Sequence, residues 1–383
     1  MRLTQREQAR WAVQVSRLLA RDVPREDPIF ATIVGCDEKG DEMHPLDDVR
    51  EVSVNRGGVL SRVSSAGLIG NAMASANVRQ AVAAPSGATA VVAAKTGTDV
   101  RSLTLSANGI RQHYLEAGSG PPVVLLHGFP ETNYAWRYQI PVLARHYRVI
   151  APDLRGYGET DKPASGYDKR TMANDLRELM RGLGIPKIAL VGHDRGARVA
   201  TRFAKDHPDA IDRLVVMDNV PTRIVARDFN AKIAKAYWFF LFHLVPDLPE
   251  ALIVGREALW LRHFFSDWCF DPAAISGEAF DTYVRAYQAP GAVRGAMADY
   301  RANAEDVAQD IVDADVKIAC PVMSLWGAEF YAVGKLFDMP KVWGEMATNL
   351  VTHAIPQAGH LPQEEKPEIV NRLLADFLDG WRG

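Results

Sequence analysis

The segment Lys187–Arg198, which reads KIALVGHDRGAR, joins a buried strand to a sharp turn. Its first half is an apolar run, typical of a strand inside a parallel sheet. Gly192 and Gly196 then stand two residues on either side of Asp194, and the residues after them are typical of a helix. Small residues there allow the tight strand-to-helix turn called a nucleophile elbow. Because aspartate replaces the usual serine, we expect displacement by a carboxylate instead of acyl transfer.

Apolar runs on both sides of this segment predict further strands that alternate with helices. This alternation indicates an α/β fold with a mostly parallel sheet and helices on both faces. Taken alone, the Asp194 turn could also be an ordinary surface turn. However, the functional groups of such sheets lie at the carboxyl ends of strands, where Asp194 and Asp218 both stand. The predicted strands cover residues 102–106, 112–116, 123–126, 149–151, 188–191, 214–217, 322–326 and 351–355.

Composition divides the chain into three regions. Residues 1–98 form an N-terminal extension that ends in an Ala/Val/Thr/Gly-rich stretch, Ala81–Thr98, typical of a flexible tether. Residues 99–221 and 306–383 hold the predicted strands and are expected to form the core. Residues 222–305 are helical in pattern and rich in aromatic side chains. This pattern predicts an inserted helical cap that covers the strand ends and excludes water.

Composition also excludes several classes of function. The 383 residues carry 44 basic and 47 acidic side chains, and no basic stripe with interleaved aromatics indicates nucleic-acid binding. No apolar run is long enough to span a bilayer. Three scattered cysteines fit neither a disulfide framework nor a metal site, which favours a reducing, cytoplasmic location. A segment ending near Ala76 resembles a signal-peptide cleavage site, so export is the alternative.

Four motifs together resemble the α/β-hydrolase superfamily, in particular its aspartate-nucleophile branch of haloacetate (fluoroacetate-type) dehalogenases and epoxide hydrolases. In chain order they are HGFP at 127–130, DLRGYG at 153–158, GHDRGAR at 192–198 and GHLP at 359–362. The similarity runs from about residue 101 to the C-terminus. It implies an α/β-hydrolase fold with a helical cap, a small-molecule substrate, and no metal or organic cofactor. The resemblance neither implies nor excludes a homodimer.

The resemblance implies a catalytic triad. Asp194 is expected to attack the substrate carbon and form an ester, and His360 to activate the water that hydrolyses this ester. Two acids compete to orient the histidine. Asp218 ends the strand after the elbow, where dehalogenases of this branch keep the acid. Glu329 follows the next strand, where many hydrolases of this fold keep it. The resemblance favours Asp218.

The resemblance also assigns an oxyanion hole and a carboxylate clamp. The backbone N–H groups of Phe129 and Arg195 are expected to stabilise charge during ester hydrolysis. The side chains of Arg195 and Arg198 match the pair with which fluoroacetate-type dehalogenases hold the substrate carboxylate. Like charges about 4 Å apart repel by about 4 kcal/mol at an effective dielectric near 20, and two guanidiniums offset this repulsion. A helix cap or a salt bridge is the alternative role for these arginines.

The cap is expected to supply donors to the leaving group. Tyr300 falls where both branches place a tyrosine, which binds a leaving halide or protonates an epoxide oxygen. Dehalogenases of this type carry adjacent His and Trp early in the cap, where this chain has Tyr237-Trp238-Phe239. Trp238 replaces the histidine in an ungapped alignment, and a gap of one residue puts it in the tryptophan place. One donor is missing either way. A purely structural core role is the alternative for Trp238.

Three functional hypotheses follow. The leading one is hydrolytic dehalogenation of a short 2-haloacid, with chloride or bromide favoured over fluoride because one donor is missing. The second is epoxide hydrolysis through the same Asp194, with Tyr300 as the acid. The third is a non-catalytic binding protein on this fold, which the set of Asp194, Asp218 and His360 disfavours because a binding module needs no triad.

Overall fold

The computed structural model describes residues 81–82 and 97–383, which belong to one unit that begins at Arg79. The signal-like segment near Ala76 and most of the predicted N-terminal extension lie outside the described residues. Ala81–Val82 forms a short strand that pairs antiparallel with Leu103 and Thr104. The prediction of a flexible tether is therefore wrong at these two residues, because their backbone groups join the edge of the sheet.

The strands form a single mostly parallel sheet. In chain order they are β1 (Ala81–Val82), β2 (Val100–Ala107), β3 (Ile110–Ala117), β4 (Pro122–Leu126), β5 (Arg148–Pro152), β6 (Ile188–His193), β7 (Ile211–Met217), β8 (Val322–Gly327) and β9 (Leu350–Ile355). Their order across the sheet is β1-β2-β3-β5-β4-β6-β7-β8-β9. The pairs β1–β2, β2–β3 and β3–β5 are antiparallel, and the remaining pairs are parallel. The predicted α/β fold class is confirmed.

Helices follow most of the parallel strands and fill one long insertion. In chain order they are α1 (Ile140–Leu143), α2 (Lys169–Gly182), α3 (Asp194–Asp206), α4 (Thr222–Arg227), α5 (Ala231–Ala236), α6 (Trp238–Leu244), α7 (Leu248–Ile253), α8 (Glu257–Trp268), α9 (Gly277–Gln288), α10 (Ala292–Arg301), α11 (Asn303–Val312), α12 (Met339–Met346), α13 (Pro362–Glu365) and α14 (Pro367–Leu378). Helices α4 to α11 occupy the interval between β7 and β8, where the cap is predicted. The last of them extends beyond the predicted boundary at residue 305.

The central strands bury apolar side chains along their whole length and end in polar groups. Every side chain of β4 from Val123 onwards, and every one of β6, is buried. Burial of apolar surface stabilises the fold by roughly 25 cal/mol per Å². The first residues beyond these strands are His127 after β4 and Asp194 after β6, and Asp218 follows β7. Because parallel strands end at the same edge, the sheet brings these polar side chains together.

Candidate active site

The turn between β6 and α3 has the close contacts that an elbow requires. A Cβ on Gly192 would lie 2.6 Å from the carbonyl oxygen of Gly196, and one on Gly196 would lie 2.4 Å from the carbonyl oxygens of Leu126 and His127. Asp194 itself has a φ of 44°, in the left-handed region that residues with a side chain rarely adopt. Such a conformation costs about 1–3 kcal/mol and persists only where the surrounding structure enforces it.

His360 lies between two carboxylates. Its Nδ1 is 2.5 Å from Asp218 Oδ2, and its Nε2 is 4.0 Å from Asp194 Oδ1. The other oxygen of Asp218 accepts the backbone N–H of Gly327 at 3.0 Å. Burial raises the pKa of the Asp218 carboxyl, and the hydrogen bond from His360 opposes that rise. This arrangement directs an Nδ1 proton towards Asp218 and turns Nε2 towards Asp194.

The competing acid, Glu329, lies apart from the histidine. Its side chain is 39% exposed, and its Oε2 pairs with Lys335 Nζ at 2.9 Å. No hydrogen bond or ion pair joins Glu329 to His360 in the part of the chain that the structure describes. The geometry therefore brings Asp218, and not Glu329, to His360.

One of the two predicted oxyanion donors contacts Asp194 directly. The backbone N–H of Phe129 donates to Asp194 Oδ2 at 3.0 Å. Arg195 is the second residue of α3, so its N–H belongs to the first turn, which has no acceptor within the helix. An ester formed through Oδ1 would keep its carbonyl oxygen near the Phe129 N–H, as the expected oxyanion hole requires.

Asp194 borders a narrow cavity under the cap. The space available to the centres of water-sized molecules is about 10 Å³, close to the minimum that holds one water. Aromatic and apolar side chains form most of the wall, among them Tyr237, Phe239, Phe240, Trp268, Phe330 and Val333. A wall of this kind excludes bulk water and strengthens electrostatic interactions at the carboxylate.

Arg198 reaches this cavity as a buried cation without a counter-ion. Its side chain lines the wall beside Asp194, and the residue is 5% exposed. Nη1 donates to Thr222 Oγ1 at 2.5 Å, and Nε has no hydrogen-bond partner. Burial lowers the pKa of Arg198, as does the neighbouring Arg195 charge, whereas the Asp194 carboxylate raises it. Among the described residues, no carboxylate lies within ion-pair distance of this guanidinium.

The cap binds the guanidinium of Arg195 instead. Nε donates to Asp299 Oδ2 at 2.9 Å and Nη2 to Asp299 Oδ1 at 2.7 Å, while Nη1 donates to Asn303 Oδ1 at 2.9 Å. The side chain is fully buried and is absent from the wall of the Asp194 cavity. Its expected role as a substrate clamp is therefore corrected, because this guanidinium already has a carboxylate partner.

Neither of the two predicted cap donors lines the cavity wall, and their surroundings differ. Trp238 is half-buried against Trp260 and Phe264, with ring centroids 6.0 and 6.4 Å apart, and it does not line the cavity. Its expected role is corrected, because helix α6 turns it into the cap's own core and presents Phe239 to the cavity. Tyr300 is fully buried, 5.4 Å from the Phe129 ring. Burial and the Asp194 charge raise the pKa of Tyr300 well above its usual value, so its phenol stays a donor.

One buried histidine beside Tyr300 was not predicted. The ring centroids of His243 and Tyr300 lie 4.5 Å apart, and neither nitrogen of His243 has a hydrogen-bond partner among the described residues. Burial lowers the pKa of His243 to about 3, so the ring is neutral at neutral pH. Its place in an aromatic run, WFFLFHL, gave no signal that separates it from core residues.

A second buried pair, His193 and Glu131, lies against His360. His193 Nδ1 lies 2.9 Å from Glu131 Oε2, and His193 Nε2 donates to the backbone carbonyl of His360 at 2.8 Å. Burial lowers the pKa of His193, but Glu131 outweighs it and raises the value to about 9. The available signal was the position of these residues: an acid directly after the HGFP motif and a histidine directly before the nucleophile.

Metal-binding and membrane-spanning features do not appear in the described residues. No three His, Cys, Asp or Glu side chains there cluster as they would around a metal ion. No helix in the same part of the chain is both long and apolar enough to cross a membrane.

The fold and the site define the class of protein. Residues 121–248 match the family model described as the alpha/beta hydrolase fold. The soluble epoxide hydrolase of Corynebacterium sp. (strain C12) is 41% identical over 69% of this chain and 92% of its own length. The chain belongs to the α/β-hydrolase family and is a hydrolase, as the four sequence motifs predicted.

Two branches of that family contain similar proteins. The fluoroacetate dehalogenase of a Burkholderia species is 35% identical over 69% of this chain and 89% of its own. Among solved structures, the epoxide hydrolase CorEH is 39% identical, with a TM-score of 0.69 over 73% of this chain and 99% of its own. A putative alpha/beta hydrolase from Nostoc sp. PCC 7120 is 37% identical, with a TM-score of 0.72 over 74% and 99% of the two chains. The predicted resemblance to both branches is confirmed.

Proposed function

We propose that this hydrolase converts a short 2-haloacid into a 2-hydroxyacid and a halide ion. The observation that carries the proposal is the unpaired guanidinium of Arg198 in the cavity of Asp194. A buried cation is costly unless it is paired, and a substrate carboxylate supplies the missing partner. The same cation offsets the repulsion between that substrate and Asp194.

The first half-reaction forms the ester. Asp194 Oδ2 accepts the Phe129 N–H, so Oδ1 is the oxygen free to attack. A bond forms between Oδ1 and the substrate carbon as the carbon–halogen bond breaks, and the halide leaves with the bonding electron pair. The Tyr300 O–H, a donor without negative charge, stabilises the departing halide.

The second half-reaction hydrolyses the ester. His360 Nε2 takes a proton from a water molecule, whose oxygen attacks the Asp194 carbonyl carbon. Asp218 stabilises the imidazolium that forms, and the Phe129 N–H stabilises the oxyanion. The bond between Oδ1 and the substrate carbon stays intact while the acyl–oxygen bond breaks. His360 returns its proton to the departing hydroxyacid oxygen, and the second proton of the water is released as the Asp194 carboxyl ionises again.

Epoxide hydrolysis is the second candidate, and one feature favours it. Asp299 neutralises Arg195, so a single guanidinium faces the nucleophile where an anionic substrate would be better held by two. An epoxide is neutral and needs neither. Asp194 would open the ring while the Tyr300 O–H protonates the departing oxygen, and the ester would be hydrolysed as above. The similarity to the Corynebacterium enzyme supports this alternative.

Product formation from chloroacetate, fluoroacetate and styrene oxide separates the candidates when all three are compared with an Asp194→Asn control. We expect chloride release that is absent in the control, and weaker fluoride release because Phe239 stands where a second donor was expected. Diol from styrene oxide without any halide would assign the protein to epoxide hydrolysis. No product from any of the three would overturn both candidates.

A further inference from the structure

Arg195 and Asp299 connect the core to the cap directly beside the nucleophile. Arg195 follows Asp194 at the start of α3, and Asp299 precedes Tyr300 in α10. Both side chains are fully buried. The guanidinium contacts both carboxylate oxygens of Asp299, and Nη2 also donates to the Asp299 backbone carbonyl at 2.8 Å. Paired contacts of this kind fix orientation as well as distance.

Two further core side chains donate hydrogen bonds to the Asp299 carboxylate. Lys169 Nζ donates to Oδ1, and the Tyr157 O–H donates to Oδ2 at 2.7 Å. Burial alone would raise the pKa of Asp299, but Arg195 and Lys169 outweigh it and hold the value well below the usual range. The carboxylate is therefore ionised, and the side chains of Arg195, Lys169 and Tyr157 hold it near the C-terminal end of α10.

The same guanidinium also contacts the ring of the next residue. The Cζ of Arg195 lies 4.5 Å from the Tyr300 ring centroid, in cation–π geometry. The rest of the ring packs against Phe129 at 5.4 Å and Phe240 at 5.1 Å. One core side chain thus holds both the backbone that carries Tyr300 and the ring itself.

We propose that Arg195 is the positioning residue for Tyr300, and that its side chain does not bind the substrate. Through Asp299 it docks α10 on the elbow, and through its flat face it orients the phenol towards the leaving group at Asp194. The inference rests on the proposed donor role of Tyr300. Arg195 adjoins the nucleophile in sequence and contacts the cap donor in space, so it links the position of Tyr300 to that of the elbow.

This role predicts which half-reaction depends on Arg195. A misplacement of about 1 Å can cost roughly 100-fold in rate, and Tyr300 acts only when the leaving group departs. Ester hydrolysis uses the backbone N–H of residue 195, which Arg195→Met and Arg195→Lys both retain. Loss of the Arg195 side chain should therefore slow ester formation and spare ester hydrolysis.

Single-turnover kinetics with chloroacetate and styrene oxide test this role in Arg195→Met, Tyr300→Phe and the double variant. We expect each single variant to slow ester formation by roughly 10- to 100-fold, and the double variant to be no slower than the worse single one, because both remove one interaction. The KM for chloroacetate should change by less than about threefold, because the substitutions remove no contact that holds the substrate before the reaction. Arg195→Lys should not restore the rate, because an ammonium lacks the planar fork.

Three kinetic outcomes would overturn the proposal. Additive losses in the double variant would mean that Arg195 and Tyr300 act independently. A large rise in KM for chloroacetate but not for styrene oxide would restore the clamp role of Arg195. An equal loss in both half-reactions would indicate general structural damage instead of positioning.

Amide hydrogen exchange of the peptide spanning residues 292–301 tests the docking step without any substrate. We expect faster exchange in Arg195→Met and unchanged exchange in Arg198→Met, the matched control on the same helix. Unchanged exchange in Arg195→Met would overturn the docking role of Arg195. This conclusion does not depend on whether chloroacetate or styrene oxide is a substrate. Inactivity of the wild-type protein towards both compounds, with faster exchange in Arg195→Met, would instead contradict only the proposed function.

Discussion

The imidazole of His360 lies 2.5 Å from Asp218 through Nδ1 and 4.0 Å from Asp194 through Nε2. The first distance is a short hydrogen bond that fixes the ring. The second exceeds a direct hydrogen bond and suits a water molecule placed between Nε2 and the Asp194 carboxylate. The ring is thus fixed through Nδ1, while Nε2 faces Asp194.

Replacement of His360 by asparagine should trap the ester on Asp194. Ester formation needs no base, whereas its hydrolysis does, and general-base help is typically worth about 100- to 10,000-fold. We expect a stoichiometric burst of halide or ring-opened product, followed by negligible turnover. Intact-protein mass spectrometry with peptide mapping should find the adduct on Asp194. Steady turnover close to that of the wild type would exclude His360 as the base.

The triad acid can be tested with a matched pair of amide substitutions. Asp218→Asn should lower turnover by roughly 1,000- to 10,000-fold, because the amide cannot stabilise the imidazolium or select the same tautomer. Glu329→Gln should keep turnover within about twofold, because exposed pairs such as Glu329–Lys335 contribute little. The reverse ranking in steady-state assays would assign the acid to Glu329.

Arg198→Met should separate anionic from neutral substrates. Loss of a charged partner to a buried carboxylate typically costs about 2–5 kcal/mol, so we expect KM for chloroacetate to rise at least roughly tenfold. Styrene oxide kinetics should change little, because the epoxide carries no charge. The test is to measure KM for chloroacetate and for styrene oxide in both the wild type and the variant. Equal effects on the two substrates would show that Arg198 shapes the cavity and does not recognise the carboxylate.

Gly196→Ala should destabilise the elbow by at least about 1–3 kcal/mol, as overpacking typically does. Its Cβ would meet two backbone carbonyl oxygens at 2.4 Å, and backbone atoms cannot rotate aside. Gly344→Ala, in α12, is the control because nothing lies within 4 Å of its Cβ. That change should be neutral or stabilising by up to about 1 kcal/mol. Thermal unfolding of both variants checks the contrast, and equal melting temperatures would contradict it.

Glu131→Gln should alter the dependence of stability on pH. The pKa of His193 rises from an ordinary 6.5 to about 9 in the folded protein, so its contribution is complete below about pH 6.5 and is lost as the pH rises through 9. The variant should therefore melt below the wild type at pH 6, and the gap should shrink towards pH 9.5. Thermal unfolding across this range, with Glu329→Gln as an exposed control, tests the expectation. A gap that is constant with pH would rule out titration of His193 as its origin.

The amino-acid sequence by itself determined the sheet, the elbow and the order of the catalytic candidates. Strands were predictable because apolar runs report burial directly, and the elbow because Gly192 and Gly196 bracket Asp194 at a fixed local spacing. His360 was predictable because the end of the last strand meets the same edge of the sheet as the elbow. All these features depend on neighbours in the chain or on the topology of a parallel sheet.

Only the tertiary structure decided which partner each candidate has. Arg195 and Arg198 are equivalent in sequence, yet one binds Asp299, 104 residues away, and the other faces the Asp194 cavity unpaired. Trp238 packs inside the cap, away from the cavity, and His243 lies beside Tyr300. Both positions follow from the rotation of α6, which the packing of the cap sets. The charge and desolvation of a buried side chain depend on atoms that distant segments bring to it, and local sequence does not encode that arrangement.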